Sequence, residues 1–188
     1  GDFPYAVAFV AVIHPLTRTV VYASAGHDVA FTLADDGRVR DLAPTAPMLG
    51  IPLPYRACDA TFVLAPSETL VVVTDGVSDS RPAGSNRFFG VAGTAFALAR
   101  ALCRGDDPAQ SVLAAAEFHR GGPFDDDAGA VAVRLQPALT SLKGSTDALD
   151  HHHRFVRFVA FWLRDPYRRL ADPSALDNRR HSRNLQPR

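Results

Sequence analysis

Lysine is almost missing from this sequence: the 188 residues hold one, Lys143, and residues 1–139 hold none. Those first 139 residues carry 10 Arg against 15 Asp and Glu, whereas residues 140–188 carry 10 Lys and Arg against 5 Asp. An acidic body and a basic tail therefore sum to a formal net charge of zero, and the total says nothing about partners until the two parts are read separately. Cysteine is scarce too. Cys58 and Cys103 are too few and too far apart for a disulfide framework or a zinc site, a usage that fits a reducing cytoplasm. No apolar stretch approaches the ~20 residues of a membrane span, since the longest one in the tail, residues 155–163, is interrupted by Arg157. A basic leader is lacking, and the chain opens on Gly1-Asp2-Phe3-Pro4 without Met, which leads us to expect a fragment or a processed chain. What is present is ordinary for a soluble globular protein, 47% hydrophobic and 21% charged, with length for one core rather than two.

Hydrophobic period divides the body into strands followed by helices. Residues 5–13 are almost wholly apolar and end at His14-Pro15, the mark of a strand covered on both faces. Residues 19–24 read as its hairpin return, and residues 29–34 and 38–42 as a second hairpin around Asp35-Asp36-Gly37. A proline-rich irregular stretch over 43–56 precedes strands at 58–64 and 69–74, the latter stopped by Asp75-Gly76. The period then changes. Residues 90–104 predict a helix, and Asp107-Pro108 supplies an N-cap and an N1 proline for a second helix over 108–119. Gly121-Gly122-Pro123 stops that helix, and residues 128–134 read as a final buried strand. Short hairpin links imply a mostly antiparallel sheet, so the expected class is α+β with layered sheets and helices.

Two acids stand out by position. Asp75 follows one predicted strand and Asp126 precedes another; if these strands are antiparallel neighbours, both carboxylates reach the same sheet edge. Gly76 allows a sharp turn after the acid. The carboxylates of Asp125, Asp126 and Asp127 repel one another unless solvated or given a cation. Oxygen ligands without nearby His or Cys favour Mg²⁺ or Mn²⁺ over zinc, and a pair of such ions suits phosphate ester hydrolysis. Spacing alone leaves open a plain turn at Asp75-Gly76 and a solvated acidic loop at 125–127.

The ordered blocks Ala25-Gly26-His27, Pro47-Met48-Leu49-Gly50, Thr74-Asp75-Gly76-Val77, Phe88-Phe89-Gly90 and Asp126-Asp127 resemble the SpoIIE-type branch of the PPM metal-dependent protein serine/threonine phosphatases. The resemblance covers about residues 3–136, the C-terminal two-thirds of such a domain. It implies a PPM-phosphatase-like antiparallel β-sandwich flanked by helices, truncated at its N-terminus. It further implies two Mn²⁺ or Mg²⁺ ions, a metal-bound water as nucleophile, and phosphoserine or phosphothreonine proteins as substrates, often anti-sigma-factor antagonists. Carried over by position, Asp75 and Asp126 are the catalytic metal ligands, with Gly76 and Asp127 as their neighbours at the metal and His27 as a loop-shaping residue. The family's first acidic block would lie upstream of residue 5 and is not in this chain. Asp79 stands where Glu is usual, Gly129 where the family has Thr, and Ala6 where Thr is frequent.

Residues 138–188 change character and are assigned to a basic tail, disordered or holding a short amphipathic helix over 154–165 that Pro166 would end. Its His151-His152-His153 tract reads as incidental or tag-like. The leading expectation is a cytoplasmic phosphatase in a bacterial phospho-switch; the alternative is a catalytically incomplete pseudo-phosphatase that binds a phosphoprotein or partner. No specific nucleic-acid contact and no transmembrane segment are expected. A sheet edge left open by the missing first third would promote self-association.

Overall fold

The computed structural model describes residues 5–52 and 54–136, together with the backbone of 156–164. Strand β1 (Tyr5–His14) pairs antiparallel with β2 (Thr19–Ala25), which in turn pairs with β5 (Ala60–Val63). Strand β3 (Ala30–Leu33) lies between β4 (Val39–Asp41) and β6 (Thr69–Val73), and β6 pairs with β7 (Ala130–Arg134). With β8 (Val156–Arg164) this gives two four-stranded antiparallel sheets, ordered β5-β2-β1-β8 and β4-β3-β6-β7. The helices among the described residues are α1 (Asp75–Ser78), α2 (Gly90–Arg104) and α3 (Pro108–Arg120).

Strand β6 shows how the layers stack. Its side chains alternate between two cores, as the two-residue strand period requires. Leu70 and Val72 join Phe9, Ile13, Val20 and Leu64 between the sheets, whereas Val71 and Val73 face Leu98, Val112 and Ala116 of the helices. Every residue of β6 is buried, which explains its unbroken apolar reading. The order is sheet, sheet, helices, and the α+β class read from the sequence holds. Helix ends follow the local signals: the Asp107 carboxylate accepts from the Gln110 N–H at 2.7 Å, Pro108 opens α3, and Gly121 closes it at φ 81°.

One expectation needs correction. The stretch expected as a short helix within 154–165 contains a strand, β8, antiparallel to β1 from Tyr5↔Arg164 to Ile13↔Val156. The physical reason lies in the partner: β1 offers a row of main-chain donors and acceptors along one side, and a β-branched and aromatic segment satisfies it better than a short basic helix could. The pairing covers β1 along 9 residues and leaves β8 and β5 as the two outer strands of that sheet. The remaining tail readings, the His151-His152-His153 tract among them, fall outside the described residues. No helix among the described residues is long and apolar enough to cross a membrane.

Candidate functional site

The register of β6 and β7 builds the site. Val73 pairs with Ala130 as the last rung, so the chain leaving β6 and the chain entering β7 sit at one end of the sheet. Thr74 is the fastener. Its main-chain N–H donates to the Gly129 carbonyl at 2.9 Å, its hydroxyl donates to the Asp127 carbonyl at 2.9 Å, and the Gly129 N–H donates back to that hydroxyl at 2.9 Å. One side chain thus holds the 126–129 loop against the start of α1.

Asp75 begins α1, which is anchored from both sides. Val77 is fully buried in the helix-side core, the Ser80 hydroxyl donates to the Gly76 carbonyl at 2.8 Å, and the Asp79 N–H donates to the Asp75 carbonyl at 2.7 Å. Gly76 is required sterically rather than for a turn: a Cβ there would lie 2.5 Å from the Asp127 carbonyl oxygen. The absent side chain is what lets the two acidic segments meet. Asp126 is steadied by its own loop, its Oδ1 accepting from the Asp127 N–H at 2.9 Å.

These segments enclose a cleft of about 290 Å³ lined by Asp75, Gly76, Asp79, Ser80, Arg81, Phe88, Arg120, Asp125 and Asp126. Asp75 and Asp126, far apart in sequence, therefore share one cavity, and Gly76 lies in its wall. Asp127 is not among the lining residues; it is exposed, and it serves the site through its carbonyl. His27 does not line the cleft either. It is buried against Phe9, and its own carbonyl accepts from the Ser24 hydroxyl at 2.6 Å, which suits a loop-shaping part. Burial pushes its pKa down from 6.5 to about 4, against the opposing pull of the Asp28 charge and a backbone hydrogen bond at Val29.

Several lining residues were not singled out in the sequence. Arg120, at the end of α3, binds the Asp125 carboxylate and the Pro123 carbonyl and reaches the Arg81 carbonyl at 3.4 Å. Arg81 lies over the Phe88 ring, 4.7 Å from its centre. No local pattern marks Arg120, because its role depends on two loops, one after α1 and one after α3, meeting at the end of α3. Nothing in the structure requires glycine at 129: a Cβ there would make only an ordinary contact with Thr74 Cγ2, at 3.4 Å.

The donor set is carboxylate oxygen, which suits a hard divalent cation rather than zinc. Among the described residues no three His, Cys, Asp or Glu side chains group closely enough to hold an ion by themselves. Mg²⁺ commonly takes one or two carboxylates and keeps several waters, so Asp75 and Asp126 fit as part of its shell.

The family model for Stage II sporulation protein E (SpoIIE) matches residues 1–136. Comparison with curated proteins gives no match. Among solved structures, the chain is similar to the SiaA-PP2C domain of Pseudomonas aeruginosa, at 22% identity and TM-score 0.51, over 63% of this chain and 47% of that one. It is similar to the RsbU and RsbW domains of a Mycobacterium tuberculosis protein, at 22% identity and TM-score 0.51, over 64% of this chain and 34% of that one. It is also similar to the phosphatase domain of SpoIIE from Bacillus subtilis, at 13% identity and TM-score 0.51, over 70% of this chain and 59% of that one. A manganese-presoaked form of that domain matches at TM-score 0.51. The fold is thus PP2C-like, and the chain spans about half the length or less of the first two structures.

Proposed function

We propose, on the premise that this chain belongs to the SpoIIE family, that it forms the metal-bearing edge of a phosphatase acting on phosphoserine or phosphothreonine in a regulatory protein. The observation that carries this reading is the convergence of Asp75 and Asp126 on one cleft where β6 ends and β7 begins. In this reading Asp75 and Asp126 are the catalytic ligands of Mn²⁺ or Mg²⁺, two ions in a complete domain. When bound, such ions supply an activated water and stabilise charge on the phosphoryl group.

The protein's own contribution is placement. Thr74 and Gly76 keep the two acidic segments in register, Asp127 gives its carbonyl to that clamp, and Arg120 braces the loop bearing Asp125. A rigid frame of this kind fixes ligands before substrate arrives, and pre-organisation is where most electrostatic catalysis originates. The setting we propose is a cytoplasmic phospho-switch with a substrate such as an anti-sigma-factor antagonist, as the resemblance implies.

A second reading has an observation of its own. With no three ligating side chains grouped among the described residues, the chain could bind a phosphoprotein without turnover. Mn²⁺-dependent release of phosphate from a phosphoserine protein, measured on the complete gene product, separates the two. Asp75→Asn should reduce release to background, and Asp126→Asn likewise. Near-normal release by Asp75→Asn would remove Asp75 from the ligand set, and phosphoprotein binding without release would favour the binding module.

A further inference from the structure

The cleft holds two arginines, and they are used differently. Arg120 is committed to the frame: its side chain is 17% exposed, pairs with the Asp125 carboxylate and spans two carbonyls. Arg81 is not. Its residue is exposed, it lines the same cleft, and among the described residues its guanidinium makes no ion pair or hydrogen bond with a carboxylate or carbonyl. Instead it rests on the face of Phe88.

That arrangement is unusual for a cleft with four carboxylates in its wall, Asp75, Asp79, Asp125 and Asp126. An arginine beside acids normally takes one as a partner. The path of the chain explains the difference. The Arg81 carbonyl is gripped by Arg120, and the Phe89 N–H donates to the Ser80 carbonyl at 2.7 Å. These two ties return the loop on itself and bring Phe88 beneath the guanidinium. Phe88 is 44% exposed, a large apolar ring kept at the surface rather than buried, and its face holds the guanidinium beside the cleft without using its N–H donors.

We infer that Arg81 is the anion-binding residue of this cleft, holding the phosphoryl oxygens of a phosphoserine or phosphothreonine side chain, with Phe88 as its shelf. This rests on the phosphatase reading and adds the residue that recognises the substrate's charged group. A planar guanidinium matches two oxygens of a phosphomonoester at once, which a lysine cannot do. Arg81 is thus a specificity residue that distinguishes a phosphorylated side chain from its free hydroxyl, and Arg120 is a positioning residue that supports it.

The test is binding of a Gly-Ala-phosphoserine-Ala-Gly peptide and of its unphosphorylated twin to the full chain with saturating Mn²⁺, followed by calorimetry. Mn²⁺ affinity is measured separately by electron paramagnetic resonance, and the urea midpoint checks the fold. Arg81→Ala should weaken phosphopeptide binding by roughly tenfold or more, the worth of one charged hydrogen-bonded contact. It should leave the twin, Mn²⁺ affinity and the urea midpoint unchanged. Arg81→Lys should recover only part of the loss, and Phe88→Leu should weaken phosphopeptide binding less than Arg81→Ala does. Wild-type phosphopeptide affinity in Arg81→Ala, with discrimination between the peptides intact, would overturn the assignment and leave the phosphatase reading standing. A wild-type chain that binds Mn²⁺ without preferring the phosphopeptide also overturns it. Failure of the wild-type chain to bind Mn²⁺ at all would sink both.

Discussion

Replacing Thr74 by Val tests the frame on which the site depends. Valine keeps the shape and the β-branch but removes the hydroxyl that serves two partners, the Asp127 carbonyl and the Gly129 N–H, each at 2.9 Å. A backbone group deprived of its partner in a dry setting costs about 1–3 kcal/mol. Here the setting is only half dry: Thr74 is 6% exposed, but Asp127 is exposed and Gly129 half-buried, so water can reach the abandoned carbonyl. The loss should therefore lie near about 2 kcal/mol rather than twice that. Thr74→Ser keeps the hydroxyl and gives up one methyl, worth under about 1 kcal/mol. Urea unfolding of the three proteins should rank wild type first, Ser second and Val third. Mn²⁺ affinity should follow the same order, since the loop carrying Asp126 loses a tether. A Val variant as stable as wild type, binding Mn²⁺ equally well, would show that the hydroxyl does not hold the loop.

Two other perturbations follow from the same geometry. Gly76→Ala places a Cβ against the Asp127 carbonyl, at 2.5 Å before relaxation, so it should part the two acidic segments and weaken Mn²⁺ binding more than any change on the outer face of α2; unaltered affinity would count against the close approach. His27 carries a proton only below about pH 4 when folded but near 6.5 when unfolded, so the unfolded chain takes up the proton first as pH falls. Its contribution is therefore intact above pH 6.5 and lost between 6.5 and about 4, about 3 kcal/mol in all, with about 2 of it gone between pH 7 and pH 5. Urea unfolding of wild type and His27→Leu at those two pH values should show the steeper decline in wild type, and parallel declines would exclude His27 as the source.

The sheet and its site were legible in unequal measure. The apolar runs of β1 and β6, the Asp35-Asp36-Gly37 hairpin and the Asp107-Pro108 helix start declare themselves because each is a local rule acting over a few residues. The meeting of Asp75 and Asp126 was inferable only by supposing β6 and β7 to be antiparallel neighbours, and the register bears out that supposition. Helix α1 was read as a turn because four residues carry no period; burial of Val77 stabilises it. Thr74 stood inside a recognised block without a role, since its two partners lie more than fifty positions away. Arg81, Arg120 and Phe88 form one unit only because separate loops converge there. Strand β8 escaped notice for a related reason: a basic, aromatic segment is ambiguous until a neighbour with unmet main-chain groups is known.

Among the described residues, the sheet that carries the cleft is built from strands that all precede Gln136, whereas the opposite sheet takes one of its outer strands, β8, from beyond it. Clipping by a protease, or a competitor that adds its own strand to the same row of amides, would strip that borrowed border. The stripped β1 edge would then be open to partners, while the β6–β7 pairing that brings the acids together would stay intact.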